Sequence, residues 1–228
     1  MKFHHFSLEN CEAAPGLVVV IDVLRAFSTA AYAFASGVDD IRLVSTVEEA
    51  FSLKEEINHA MIMGEVNGLI VEGFDFGNSP SQFDGLNLAS VHLIQRTTSG
   101  TQGVVRSRFT DELVTASFCN VKATAEYIED FSPSEVSFVI SGLRPGGWGD
   151  EDRACADYIK AQLSQNEVDP ESYLQRVRES NPGRLFQDPD LPEYPLKDLE
   201  YCLTINKFDF VMPVQRSGEH LLMRASKL

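Results

Sequence analysis

Residues 17–21 (Leu17, Val18, Val19, Val20, Ile21) form an unbroken apolar run, β-branched at four of its five positions. That pattern predicts a strand buried on both faces. It runs into an alanine-rich stretch, 26–36, ending before Gly37, which predicts a helix with a glycine stop. A second unit follows the same grammar. Residues 41–44 predict a strand, and Thr46-Val47-Glu48-Glu49 is a capping-box pattern opening a helix to about Ile57. Further strands are predicted over 60–63, 90–96, 113–116 and 136–140, with helices over 100–107, 121–130 and 150–163. The remaining chain is less regular. A helix is expected near 170–179, then a loop punctuated by Pro182, Pro189, Pro192 and Pro195. A helix over 196–204 precedes two apolar runs, 208–214 and 220–224, separated by Arg216-Ser217-Gly218-Glu219, which predict an antiparallel hairpin.

Alternating strands and helices predict a three-layer α/β/α fold with a mostly parallel sheet, made mixed if the hairpin joins it. One domain over 1–228 is expected, with 165–228 its less regular part. Composition changes this picture only at the edges. With 34 acidic against 19 basic residues the net charge is −15, which argues against a nucleic-acid partner or an anionic membrane surface. The four cysteines are scattered without a CxxC pair, so no zinc ribbon or redox motif is indicated. They suit a reducing compartment. Residues 1–6 lack the apolar core of a signal peptide, and a cytoplasmic enzyme is the expectation. The sequence leaves homo-oligomerisation open.

Chemistry concentrates just after predicted strands, where open α/β sheets bind ligands. Asp22 leaves the first buried strand, followed by Arg25, Ser28 and Thr29; Asp22 or Ser28 would equally suit a helix cap. Glu65, Asp75 and Asn78, in a glycine-rich stretch ending Asn78-Ser79-Pro80, offer the hard oxygens Mg²⁺ prefers, in a composition that also makes turns. Arg96-Thr97-Thr98-Ser99-Gly100-Thr101 places hydroxyls and backbone N–H groups at a helix start, a setting that favours anions. Gly142 to Arg153 combines four glycines with Asp150, Glu151 and Asp152. Together these are the parts of Mg²⁺-assisted phosphoryl transfer on a small anionic substrate. No P-loop, dinucleotide fingerprint or nucleophile elbow is present, and the histidines lack metal-site spacing.

Three stretches also resemble, in order, the 2-phosphosulfolactate phosphatase (ComB) family. They are Val20-Ile21-Asp22-Val23-Leu24-Arg25-Ala26-Phe27-Ser28-Thr29, Gly73-Phe74-Asp75-Phe76-Gly77-Asn78-Ser79-Pro80 and Thr97-Thr98-Ser99-Gly100-Thr101. Glu151-Asp152 with Cys155-Ala156 is a fourth match. The resemblance implies a three-layer α/β/α fold and a Mg²⁺-dependent phosphatase acting on phosphate monoesters of small 2-hydroxy acids. It implies Asp22, Arg25 and Asp75 as catalytic residues and Asp22, Glu65, Asp75, Glu151 and Asp152 as metal candidates. Ser28, Asn78, Ser79, Thr97, Thr98, Ser99, Gly100 and Thr101 are the implied substrate contacts. Val66, Gln82, Ser99 and Asp157 depart from the family pattern. At 66 an arginine is common, and Arg144 or Arg96 is expected to compensate. The alternative is a non-catalytic binding module for an anionic phosphorylated metabolite.

Overall fold

A computed structural model describes residues 1–164 and 168–227. The expected strands and helices form, with boundaries displaced by a residue or two. In chain order they are β1 (Lys2–Phe6), β2 (Leu17–Ile21), α1 (Ala26–Ala35), β3 (Asp40–Leu43), α2 (Val47–Glu56), β4 (Ala60–Gly64), β5 (His92–Arg96), α3 (Gly100–Arg106), β6 (Glu112–Ala116), α4 (Val121–Phe131), β7 (Glu135–Ile140), α5 (Asp150–Leu163), α6 (Pro170–Glu179), α7 (Asn181–Leu185), α8 (Leu196–Cys202), β8 (Met212–Ser217) and β9 (His220–Met223). The described strands join in one sheet, ordered β1-β7-β2-β6-β8-β9-β3-β5-β4.

The two-face burial read from β2 is borne out residue by residue. Val18 and Val20 pack into one core with α1, while Leu17, Val19 and Ile21 pack into another with α4, α5 and α6. On the far half of the sheet, Ile62 and Ile94 meet Ala50 and Leu53 of α2, whereas Met63 and Leu93 join the α1 core. Helices therefore cover both faces, and the fold is α/β with a mixed, mostly parallel sheet. Among the described residues no helix is long and apolar enough to cross a membrane. All four cysteines are free and buried.

Three features differ from the sequence expectation. The N-terminus supplies an edge strand, β1, parallel to β7; its two histidines and Lys2 hide the strand pattern. Pro182 lies inside helix α7, in its first turn, instead of marking a loop. Proline is tolerated there because that N–H needs no partner within the helix. The hairpin strand begins at Met212, with Phe208 and Phe210 packing beside the core before it.

The hairpin lies at the centre of the sheet. It pairs antiparallel with β6 on one side and β3 on the other, and its own two strands are antiparallel. Three successive antiparallel pairings reverse strand direction between the two halves. The four chemical segments therefore do not share the edge of one parallel run, as the sequence suggested. Five strand-to-strand steps separate β2 from β5, and at about 20–25° each they accumulate roughly 100–125° of twist. That rotation turns the carboxyl end of β5 back toward that of β2. The meeting is recorded in a hydrogen bond from Gln95 Nε2 to the Ala26 carbonyl (2.9 Å).

Candidate active site

Where the two halves meet lies a cavity of about 240 Å³. Its lining includes Asp22 and Arg25 after β2, Gly142, Arg144, Glu151 and Asp152 after β7, and Glu65 and Asn78 after β4. Thr98 and Ser99 after β5, with Tyr194 from the C-terminal region, complete the part of the wall that bears on the chemistry.

The acidic wall is built from strand ends. Asp22 is 6% exposed, and its Oδ1 accepts from Ala26 N–H (2.9 Å) at the start of α1. The helix-cap and active-site readings thus hold together: one oxygen caps α1, and the residue still lines the cavity. Ser141 Oγ lies 3.1 Å from Asp22 Oδ2 and 3.3 Å from Asp152 Oδ2, bridging the two carboxylates. Asp152 also accepts from Val23 N–H and Gly142 N–H, both at 2.8 Å, and so ties the end of β2 to that of β7. Glu151 Oε2 is buried without any hydrogen-bond donor.

Burial disfavours charge in all three groups. It pushes the Asp22 carboxyl up to about 6, with the Glu65 charge adding to the shift. It pushes Glu151 up to about 7, helped by the charges of Asp22 and Asp150. Asp152 is raised well above the usual carboxylate range by burial and by its neighbours Glu151 and Asp22.

The opposite wall is a clasp. Glu65 Oε1 accepts from Thr98 N–H (2.5 Å), and Oε2 accepts from Thr98 Oγ (2.9 Å) and Gly68 N–H (2.6 Å). Both oxygens thus fix the loop after β5. Gly64 makes this possible: at φ 133°, a side chain there would put Cβ 1.9 Å from the Arg96 carbonyl. Thr97 and Thr101 are buried and bond each other, Thr101 N–H to Thr97 Oγ (3.0 Å) and Thr97 N–H to Thr101 Oγ (2.8 Å). They brace the turn and leave Thr98 and Ser99 to line the cavity. Gly100 packs behind Asp22.

Several sequence candidates lie elsewhere. The Asp75 carboxylate accepts from Lys54 Nζ (2.6 Å) and Ile62 N–H (2.7 Å) and is absent from the cavity lining. Ser28 is fully buried and donates to the Val23 carbonyl (2.8 Å). Ser79 donates to Asp198 Oδ1 (2.9 Å). Of the two arginines expected to replace one at 66, Arg144 reaches the cavity, held by Ser99 Oγ (2.7 Å), whereas Arg96 donates to the Glu65 carbonyl (2.8 Å).

Sequence reasoning missed Ser141, a small polar residue with no distinguishing motif. It also missed Asp198, Phe186 and Tyr194, which surround Arg25. The Arg25 Nη1 donates to Asp198 Oδ2 (2.7 Å) and to the Glu193 carbonyl (3.1 Å). Its guanidinium carbon lies 5.2 Å from the Phe186 ring centre and 5.3 Å from that of Tyr194.

The lining side chains carry four carboxylates against two guanidiniums. Among the described residues, no three His, Cys, Asp or Glu side chains form a group that could hold a metal ion by themselves.

Comparison with known proteins places the chain among relatives that share one name. The family model described as 2-phosphosulpholactate phosphatase matches residues 4–217. A "probable 2-phosphosulfolactate phosphatase" of Bacillus subtilis (strain 168) is 36% identical, covering 95% of this chain and 92% of its own length. Proteins of the same name from Carboxydothermus hydrogenoformans and Synechocystis are 33% and 31% identical. They cover 99% and 94% of this chain, and 97% and 95% of their own lengths. With its motifs in family order and the match running through nearly all of its length, the chain belongs to the 2-phosphosulpholactate phosphatase family.

Proposed function

We propose that the protein is a Mg²⁺-dependent phosphatase that hydrolyses a phosphate monoester of a small 2-hydroxy acid such as 2-phosphosulfolactate. The observation that carries this reading is the convergence of Asp22, Glu151 and Asp152 on one wall of a cavity whose other walls present Arg25, Arg144, Thr98 and Ser99. Four carboxyl groups beside two arginines leave the cavity little net attraction of its own for a phosphate dianion, and a bound cation would supply it.

The donor set fits Mg²⁺. This ion is commonly held by one or two carboxylates, with waters and substrate oxygens completing six positions. The lack of a three-residue protein cage is therefore compatible with it. Asp22 and Glu151 would hold it: both line the cavity, and Glu151 Oε2 is buried with no protein partner. Once bound, Mg²⁺ would neutralise the acidic wall and draw electron density from the phosphoryl oxygens.

The chain's own groups do the rest. Asp152, spent on Val23 and Gly142 backbone bonds, fixes the relative positions of the two strand ends. Arg25 donates to the phosphoryl oxygens as negative charge shifts during transfer. Thr98 Oγ and Ser99 line the path of the anion, and Glu65 holds their loop in place. Arg144, on the rim, is placed for the second acidic group of the substrate. Phosphoryl transfer needs positioning and charge stabilisation more than covalent machinery, and the site supplies those.

The test is phosphate release from a panel of 2-hydroxy-acid phosphates, with and without Mg²⁺, using the wild type and Glu151→Gln. Turnover that requires Mg²⁺ and collapses in Glu151→Gln is expected. Equal turnover after chelation would rule out the metal assignment, and absence of turnover across the panel would rule out the substrate class.

A further inference from the structure

We propose that Asp198 is a positioning residue of this active site, holding the Arg25 guanidinium by one nitrogen so that its remaining N–H groups face the substrate's phosphoryl oxygens. The inference rests on the phosphatase reading above.

Asp198 sits in α8, far along the chain from the family motifs, and is fully buried. Both its oxygens are engaged. Oδ2 accepts from Arg25 Nη1 (2.7 Å), and Oδ1 accepts from Ser79 Oγ (2.9 Å) and Ser81 N–H (3.2 Å). A buried ion pair is weak evidence for stability, because stripping water from two charges offsets much of their attraction. The stability-optimised form of such a pair is bidentate, with two parallel N–H bonds to one carboxylate. Here only Nη1 is used. Among the described residues no protein acceptor meets Arg25 Nη2 or Nε, and Arg25 lines the cavity.

The rest of the holder explains how a single-nitrogen contact fixes a planar group. Phe186 and Tyr194 lie against the guanidinium, and their own rings meet edge to face with centres 5.4 Å apart. The Glu193 carbonyl takes the second Nη1 proton. Aromatic contacts set the plane of the fork, and Asp198 sets its rotation within that plane. Because Asp198 offsets the charge of Arg25, the arginine serves the substrate as an aimed set of donors more than as a free positive charge. Ser79 takes its part here as well, by orienting Asp198 beside Asn78, which does line the cavity.

The experiment measures steady-state phosphate release, with melting temperature as a check on folding. Asp198→Asn keeps the shape and loses the charge. Its kcat is expected to fall about 10- to 100-fold, as when a partner that orients an active-site group is lost, with a smaller change in KM. Arg25→Ala opens a slot between Phe186, Tyr194 and Asp198. Added guanidinium is expected to restore part of its activity, and not to restore the Arg25→Ala/Asp198→Asn double variant. A purely structural role for Asp198 would not make rescue depend on it.

Should Asp198→Asn fail to fold, Ser79→Ala removes one donor to the same carboxylate while keeping its charge. There kcat should fall about fivefold while melting falls only by a few degrees, the loss of one hydrogen bond. Wild-type kcat in a folded Asp198→Asn or Ser79→Ala, or equal guanidinium rescue with and without Asp198, would overturn the proposal. Failure of the phosphatase reading is separately visible as a wild type without turnover.

Discussion

Replacing Gly100 by alanine tests whether the geometry around Asp22 is as tight as the structure describes. Gly100 opens α3, and a Cβ there would lie 2.7 Å from Ala26 Cβ, 2.8 Å from Asp22 Oδ2 and 3.2 Å from Asp22 Cβ. Ordinary contact begins near 3.4 Å, so something must move by about 0.7 Å. Neither neighbour is free to yield cheaply. Ala26 is fully buried at the first turn of α1, and its N–H is bonded to the other oxygen of Asp22.

Overpacking of this kind costs about 1–3 kcal/mol. Alanine is a better helix former than glycine by about 1 kcal/mol, which offsets part of that cost. The net loss is then about 0–2 kcal/mol, a fall in melting temperature of at most roughly 8 °C for a chain of this length. Activity is the sharper readout. Displacing a reacting group by a sizeable fraction of an ångström lowers kcat by about 10- to 100-fold. The assay is phosphate release alongside thermal melting. Activity within about twofold of wild type, with unchanged melting, would show that Asp22 is not held where catalysis needs it.

Other outcomes follow from the same structure. In the absence of divalent cations, Asp22 binds its proton more tightly in the folded chain than in the unfolded one, so its contribution to stability is present at low pH and lost as pH rises from about 4 to about 6. Asp22→Asn should therefore melt above the wild type by a margin that grows across that window and then levels off, while losing turnover; a pH-independent margin would refute the assignment. Asp75→Asn should keep kcat within about twofold, because its carboxylate serves Lys54 and Ile62; its melting temperature should fall slightly, and a large loss of turnover would restore Asp75 to the site. Glu65→Ala strands the N–H groups of Gly68 and Thr98, so a stability loss of about 1–3 kcal/mol is expected in denaturant titration, with raised KM as the Thr98 loop loosens.

Local pattern made much of this molecule legible. The uniform apolar run of β2, the Thr46 side-chain cap of α2 and the acidic start of α5 each depend on interactions within a few residues, and each is found where the sequence places it, although Glu49 answers to Ser45 N–H and not to Thr46. The loops that bear Asp22, Glu65, Thr98 and Glu151 were legible for the same reason, since strand ends, glycines and hydroxyls advertise themselves locally. Asp75 was ambiguous because carboxylate, asparagine and glycine in one loop suit a ligand and a turn equally well. In the fold its carboxylate is engaged by Lys54 and Ile62, which no local pattern connects to it.

Tertiary structure alone decided which of these loops meet, and in what order. A central antiparallel hairpin reverses the sheet, and accumulated twist brings its halves together around Asp22, a consequence of the hairpin pairing with β6 and β3, strands far back in the chain. The surroundings of Arg25 were likewise invisible in the sequence. An aspartate, a phenylalanine and a tyrosine between 186 and 198 carry no motif, because their task is defined only by the guanidinium they hold. Sequence determined which groups could do chemistry, because that is a property of residue type and local spacing. Distance, burial and the pairing of charges had to wait for the fold, because each depends on what the rest of the chain puts beside them.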